Sequence, residues 1–420
     1  MRKGIRKSTY IQLKVELKEI MKRRDLIKTG LLGLSAGALI SGCNKEATEN
    51  ITDSSELKIT PKQTGTYEFS CPLPFNYKTI DEIVELNKSL TKSKVTTLYN
   101  SIPNPLGKKF NRWIHIERGQ NTDIKSYDDF FKYVDYAKSK GFEFVYLMNS
   151  PKPFSQKDFF TFKDELSKLL DLLIKHDIRN IKVANNQVAE LINDYLENPD
   201  YFNLSASCAF EFHNIEQYNH LLNNYPNFNL IDLTYDENQN FKLLSSLKKR
   251  FPKIKLELMV NEQCIKFCPA RISHVSEESF ARFQCHTRNL GSLKYFAQLS
   301  YIYPWDLEYY SSLGINNFKF TAIGLNRQGR NNFKDISAMK YYLDIVENGI
   351  KDYTVKDLQS IFHASILQSD KDLKLSDIKS LFPDIRYFIA HGHECSYKCG
   401  VDCNYCYECA KKLEKVLLYG

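Results

Sequence analysis

The stretch Phe142–Met148, FEFVYLM, decides the fold together with the residues that follow it. Apart from Glu143, it is an apolar run rich in aromatic and β-branched residues, which is typical of a parallel strand buried on both faces. In the next stretch, Lys157–His176, apolar residues recur at the spacing of an amphipathic helix. A second strand-like run, Asn180–Ala184, comes directly afterwards. This order predicts a strand, a crossover helix and a parallel strand, the repeating unit of α/β proteins.

The same alternation extends along the chain in both directions. Eight strands are predicted, at Tyr67–Cys71, Lys94–Tyr99, Phe142–Met148, Asn180–Ala184, Phe202–Cys208, Leu230–Tyr235, Ile254–Val260 and Asn317–Ile323. The predicted helices between them include Ile80–Leu90, Tyr127–Lys140, Lys157–His176, Gln187–Leu196, Ile215–Asn224 and Phe241–Arg250. These units predict an α/β fold, a (β/α)8 TIM-barrel-like domain, over residues 65–350. An open doubly wound sheet is the alternative, but Cys71-Pro72-Leu73-Pro74 stands where that fold has its glycine-rich phosphate loop.

The net charge is concentrated at the N-terminus. The 420-residue chain carries a formal net charge of +8, which at first suggests a nucleic-acid or anionic-membrane partner. Residues 1–43 contain ten basic and three acidic side chains, a net charge of +7, so the remainder carries +1. The basic character therefore belongs to a leader, and no nucleic-acid partner is expected. A hydrophobic fraction of 43% excludes intrinsic disorder and a polytopic membrane protein.

Residues 1–43 have the features of an export signal. Lys22-Arg23-Arg24-Asp25-Leu26-Ile27-Lys28 resembles a twin-arginine pattern, and the apolar run Thr29–Ile40 after it is too short to span a bilayer. Leu39-Ile40-Ser41-Gly42-Cys43 resembles a lipobox, so lipid attachment is predicted at Cys43. A polar tether over residues 44–64 follows. We expect export by the twin-arginine route, as a membrane-anchored lipoprotein or a periplasmic protein; a cytoplasmic protein with an unused leader is the alternative.

The chain has eleven cysteines, more than a core needs, and they cluster in two places. Cys264, Cys268 and Cys285 follow the seventh predicted strand. Residues 351–420 form a predicted helical, Cys-rich extension with five more, Cys395, Cys399, Cys403, Cys406 and Cys409. Thiolates are the preferred ligands of iron–sulfur clusters and of zinc.

The spacing of these eight thiols allows two four-cysteine sites. The crowded C-terminal run matches the rhythm of ferredoxin-type loops, so one or two 4Fe–4S clusters are predicted. Zinc is the alternative, because His286, His391 and His393 lie beside the cysteines. An exported protein could also form a disulfide knot there. Cys71 and Cys208 fall at the ends of predicted strands, either as buried apolar residues or as part of a site.

The first cysteine group carries a resemblance. Leu256-Glu257-Leu258-Met259-Val260-Asn261-Glu262-Gln263-Cys264, with Cys268, Pro269, Arg271 and His274 after it, resembles peptidase family U32, the "collagenase-like" proteins. Tyr303-Pro304-Trp305-Asp306-Leu307-Glu308-Tyr309-Tyr310 and Gly314-Ile315-Asn316-Asn317-Phe318-Lys319 are similar to a later stretch of that family. The similarity extends over about residues 67–410.

The resemblance implies a barrel-like domain and, as in several relatives, a 4Fe–4S cluster held by four cysteines. Its better understood members serve oxygen-independent hydroxylation of ubiquinone precursors, tRNA or ribosomal RNA. Cys264, Cys268 and Cys285 would be three ligands, but the chain has no cysteine between Cys285 and Cys395 for the fourth. A tail cysteine or Cys208 could take that place. Gln263 stands where the family has glycine, and the leader is a further departure.

Three functions are compatible with these features. The first is an iron–sulfur protein of redox, hydroxylation or maturation chemistry with an unidentified redox partner or substrate, in which Glu262, Arg271 and His274 bind an acidic group or transfer a proton. The second is a U32-type peptidase, for which spacing reveals no nucleophile–base pair and no zinc-protease helix. The third is a non-enzymatic, metal-stabilised binding module.

Overall fold

A computed structural model of the chain describes residues 59–102, 126–151, 156–195, 201–262, 300–321 and 335–350, together with Ile124, Ile323, Glu408 and Lys411. The chain divides into two units, residues 1–55 and 56–420, and the described residues belong to the second. Within them, no helix is long and apolar enough to cross a membrane.

Eight parallel strands close into a barrel in chain order. They are β1 (Tyr67–Pro72), β2 (Ser93–Asn100), β3 (Glu143–Met148), β4 (Asn180–Val183), β5 (Asn203–Ala206), β6 (Phe228–Asp232), β7 (Lys255–Met259) and β8 (Asn317–Lys319). The first strand pairs with β2 on one side and with β8 on the other, which closes the ring. The predicted (β/α)8 barrel and its eight strands are confirmed.

Helices connect the strands and surround the barrel. Those in the described residues are α1 (Tyr77–Ser89), α2 (Tyr127–Ser139), α3 (Gln156–Lys175), α4 (Asn186–Tyr195), α5 (Ile215–Asn224), α6 (Phe241–Arg250), α7 (Leu307–Ser312) and α8 (Ser337–Asn348). Several begin at a side-chain cap; Asn214, for example, forms a reciprocal capping box with Gln217. The six helices predicted between strands are confirmed to within a few residues.

Strands β5, β6 and β8 end two to four residues earlier than predicted, and the first two give way to short 3₁₀ turns at the same end of the barrel. After β5 the chain turns at Cys208–Phe210, where the Ser207 hydroxyl accepts a hydrogen bond from the Ala209 N–H. After β6 it turns at Tyr235–Glu237. These turns replace strand residues because parallel strands of a barrel stop at its mouth, where the chain must leave for the outer ring.

Strand periodicity separates the outer core from the lumen. Phe69 of β1 stacks on Phe320, and both contact Tyr342 of α8, so Phe69 faces the helical layer. Its neighbour Ser70 bonds to Glu257 of β7, which is not adjacent to β1, and therefore points into the lumen. The aromatic residues thus fix the helices to the barrel and leave the lumen to polar side chains.

One carboxylate ties the last described helix to the start of β2. Glu347 of α8 accepts hydrogen bonds from the backbone N–H groups of Thr91, Lys92 and Ser93, at 2.8 to 3.0 Å. The hydroxyls of Thr91 and Ser93 donate to it as well. Partial burial would raise the pKa of Glu347, but these donors outweigh that effect and lower it.

Replacing Glu347→Gln should therefore destabilise the fold by about 1–2 kcal/mol, a value reduced by the partial exposure of the carboxylate. Urea unfolding at neutral pH measures this loss, and Glu85→Gln on the exposed face of α1 is the matched control. Because the folded pKa is lowered, the contribution is present above the unfolded pKa of about 4.3 and disappears as the pH falls through the folded value. Equal stability of the two variants at neutral pH would contradict this role.

Candidate active site at the barrel mouth

A charged cluster fills the lumen beneath the carboxyl ends of the strands. We call it the floor; its members are Lys182 of β4, Asp232 of β6, Glu257 of β7 and Lys319 of β8. The Asp232 Oδ2 accepts from both ammonium groups, at 3.1 Å from Lys182 Nζ and 2.6 Å from Lys319 Nζ. Neither β4 nor β8 is a neighbour of β6 in the ring, so the two lysine side chains reach Asp232 only by crossing the lumen.

Further contacts bind the floor to the barrel wall. Lys182 also pairs with Glu257, whose other oxygen accepts from the Ser70 hydroxyl at 2.7 Å. The Lys319 ammonium lies 4.6 Å from the centre of the Tyr99 ring on β2, a cation–π contact. The carboxyl ends of barrel strands are where TIM-barrel enzymes hold their catalytic groups, and the floor lies there.

The floor keeps its charges. Burial would raise the pKa of Asp232, but the two lysine ammonium groups outweigh it and hold that pKa below the usual range. Burial would likewise lower the pKa of Lys319, yet Asp232 and then Glu257 raise it. Asp232 and Lys319 are therefore both ionised at neutral pH.

Cys208 lies beside the floor. The residue begins the turn after β5 and is partly exposed. Burial of the thiol, followed by the negative charge of Asp232, raises the pKa of Cys208 to about 11. The thiol is therefore protonated at neutral pH, which opposes nucleophilic attack by this residue. Cys71, by contrast, is fully buried in β1 and behaves as an apolar core residue.

A histidine–carboxylate pair stands at the rim. His213 Nδ1 lies 2.8 Å from Glu237 Oε1, and the other oxygen of Glu237 accepts from the Asn240 side chain at 2.7 Å. The Glu237 side chain is only 3% exposed, whereas that of His213 is 36% exposed. A buried carboxylate thus orients an accessible imidazole, an arrangement suited to proton transfer.

A neck of hydrogen bonds joins the two chain segments on either side of residues 263–299. The buried Asn238 side chain donates to the carbonyls of Met259, at 2.8 Å, and Ser300, at 2.9 Å. The Ile302 N–H donates to the Val260 carbonyl at 3.1 Å. The described residues on either side of the segment that contains three cysteines are therefore held together at the end of β7.

The predicted site residues fall into two groups. Glu262 is among the described residues and follows β7 at the mouth. The pKa of Tyr301 is raised first by burial of that tyrosine and then by the negative charge of Glu262. The others lie outside the described residues: Cys43, Cys264, Cys268, Arg271, His274, Cys285, Cys395, Cys399, Cys403, Cys406 and Cys409. Among the described residues, no group of three or more His, Cys, Asp or Glu side chains is arranged to hold a metal ion.

Two asparagines that directly follow predicted strands, Asn185 and Asn261, have structural roles. Asn185 accepts from the Val188 N–H at the start of α4, and Asn261 accepts from the Thr321 N–H at 2.8 Å.

The floor and the rim pair were not predicted. The available signal was a charged residue inside four predicted strands, at Lys182, Asp232, Glu257 and Lys319.

No family model and no curated protein matches the chain. Among solved structures, it is similar to the U32 peptidase Mk0906, with 13% identity over 63% of this chain and 94% of that one and a TM-score of 0.40. SrfJ from Salmonella typhimurium shows 13% identity over 68% and 72% of the two chains, with a TM-score of 0.36. A sugar phosphate isomerase/epimerase from Parabacteroides distasonis shows 11% identity over 66% and 96%, with a TM-score of 0.32. Similarities this distant do not indicate which reaction the chain performs.

The rim pair makes a prediction about proton binding. The hydrogen bond to Glu237 raises the pKa of His213, so we expect its imidazole to titrate above about 6.5 in a histidine-ring NMR titration. Glu237→Gln should lower that midpoint, while the same change at the exposed Glu216 should leave it in place. The pair stabilises the fold fully below the unfolded pKa, and this contribution is lost as the pH rises through the folded value. An unchanged midpoint in Glu237→Gln would refute the coupling.

Proposed function

We propose that this chain is an iron–sulfur protein that resembles family U32 and acts in redox, hydroxylation or maturation chemistry at the mouth of its barrel. One observation carries the proposal: the neck joins the two ends of a three-cysteine segment at the end of β7, the same end of the barrel as the floor. Chemistry in a TIM barrel takes place at this end, so cysteines inserted after β7 belong where a substrate would bind.

The donor set in that segment fits a cluster. Cys264, Cys268 and Cys285 would hold it, since thiolates are the ligands that iron–sulfur clusters use. The bound cluster would supply one-electron transfer or activation of an oxygen donor. The fourth ligand would come from the tail cysteines or from Cys208, which is partly exposed at the same mouth.

The chain's own groups supply proton chemistry and binding. Glu262 follows β7 at the mouth, and His213 with Glu237 offers a proton donor or acceptor on the rim. Arg271 and His274 are proposed to bind an acidic group or to move a proton, on the strength of their position in the U32-like motif. A redox partner or a substrate protein or small molecule is implied by this chemistry, and the near-neutral body disfavours nucleic acid.

The tail and the leader complete the proposal. Cys395, Cys399, Cys403, Cys406 and Cys409 would form a second site, with zinc as the alternative metal. The leader would direct export by the twin-arginine route, which carries folded proteins and so preserves a cluster assembled in the cytosol. Lipid on Cys43 would then tether the protein to a membrane.

A peptidase is the second candidate, and the rim pair favours it. His213 held by buried Glu237 has the base-and-orienting-carboxylate arrangement of nucleophilic hydrolases. The nearby thiol of Cys208 is protonated at neutral pH, and a peptidase of this kind needs a thiolate. The cluster proposal is therefore the stronger of the two.

Anaerobic purification of the full chain, followed by iron, sulfide and zinc analysis and a visible spectrum, tests the proposal. We expect about four iron and four sulfide per cluster, with absorption near 400 nm. Cys264→Ala, Cys268→Ala and Cys285→Ala should each lower the iron content, and Cys71→Ala, a cysteine of the barrel wall, is the control. Comparing Cys208→Ala with Cys399→Ala identifies the source of the fourth ligand.

Two results would overturn the assignment. The first is zinc bound without absorption near 400 nm, which would indicate a structural metal site. The second is peptide hydrolysis that persists after complete removal of iron, together with its loss in His213→Gln, which would establish the peptidase.

A further inference from the structure

The floor is not explained by stability. Buried ion pairs contribute little beyond what well-packed apolar residues of the same volume provide, because desolvation offsets their attraction. The lumen of a TIM barrel is usually filled with branched apolar side chains. Here two lysines and two acidic residues lie in it instead, with Asp232 fully buried and the two lysine side chains 3% and 6% exposed. A ligand that uses these charges accounts for their presence.

The hydrogen bonds of the floor leave a defined set of unused groups. An ammonium has three N–H donors. Lys182 uses two of them, on Asp232 and Glu257. Lys319 uses one on Asp232 and directs its charge toward the Tyr99 ring. Each lysine therefore keeps a donor for a ligand, and both donors lie close to the same Asp232 oxygen.

The other oxygen of Asp232 is an unused acceptor. Oδ1 is buried and has no hydrogen-bond partner among the described residues, although Oδ2 has two. An unsatisfied buried acceptor is unfavourable, and a donor from a ligand would satisfy it. The floor thus offers two donors to a negatively charged group and one acceptor to a positively charged or neutral donor group.

Charge balance selects the ligand class. The floor holds two positive and two negative side chains, so a bare anion would leave an uncompensated charge in a buried site. A ligand with one carboxylate and one ammonium group keeps the site neutral and matches the unused groups. We propose that the floor binds the α-carboxylate and α-ammonium groups of a free amino acid.

In this arrangement Lys182 and Lys319 donate to the ligand carboxylate, and the ligand ammonium donates to Asp232 Oδ1. The lysine stems are flexible, so the carboxylate can draw the ammonium groups toward the mouth and open the way to Oδ1. The amino-acid side chain would lie toward Cys208 and the rim. This binding goes beyond the proposed function and needs none of the cluster cysteines.

The full chain is screened by thermal shift with each standard L-amino acid, and hits are measured by titration calorimetry. For each hit, the matched probes are the acid without the amine and the amine without the acid; for alanine these are propionate and ethylamine. We expect the amino acid to bind at least about tenfold more tightly than either probe. A hydroxy acid such as lactate, which adds net charge, should bind more weakly than alanine.

Variants assign the binding to the floor. Lys182→Met and Lys319→Met should weaken amino-acid binding about tenfold or more, and Asp232→Asn should abolish the preference for alanine over propionate. Exposed Lys88→Met and Asp171→Asn are the matched controls. Cys264→Ala should still bind the amino acid, so a failure of the cluster proposal is distinguishable from a failure of this one.

The ligand panel on the unaltered chain decides the matter even if a floor variant fails to fold. Propionate binding as tightly as alanine would overturn the proposal in favour of a simple anion site. No binding of any amino acid up to about 10 mM, a concentration that would reveal even weak ligands, would overturn it altogether.

Discussion

Asp232 is the constraint on which the site depends, because one of its oxygens holds two lysine ammonium groups at the centre of the barrel. Lys182 and Lys319 reach it from strands on either side, and Glu257 shares Lys182 from a third strand. Closure of eight parallel strands brings these four side chains into one lumen. The attraction within the cluster largely repays its desolvation, so the barrel gains a polar floor without gaining much stability.

The remaining features of the mouth are arranged around this floor. The turns after β5 and β6 place Cys208 and the pair His213 and Glu237 at the same end, and Asn238 in the following loop ties β7 to Ser300. The proposed proton-transfer pair, the proposed ligand site and both ends of the cysteine-rich segment are thus concentrated at one face. Away from the mouth, the outer aromatic core packs the helices on the barrel, and Glu347 ties α8 to the start of β2.

The barrel could be predicted from sequence, because strands such as Glu143–Met148 are apolar after their first residue and the helices between them have a clear period. The floor could not, since a lysine or aspartate inside a short strand has the same local appearance whether it points to solvent or to the lumen. Which side it faces depends on strand register and on closure of the ring. His213 and Glu237 are 24 residues apart, and Asn238 acts on carbonyls 21 and 62 residues away, so no local pattern reveals either contact.

Cysteine spacing predicts a redox site, and the described residues on either side of the three-cysteine segment meet at the mouth of the barrel. Iron-edge anomalous diffraction from crystals of the anaerobically purified full chain tests this most directly. We expect an iron peak at the carboxyl end of the barrel, beside the end of β7 at Met259. A mouth without iron, or with anomalous signal only at the zinc edge, would contradict it.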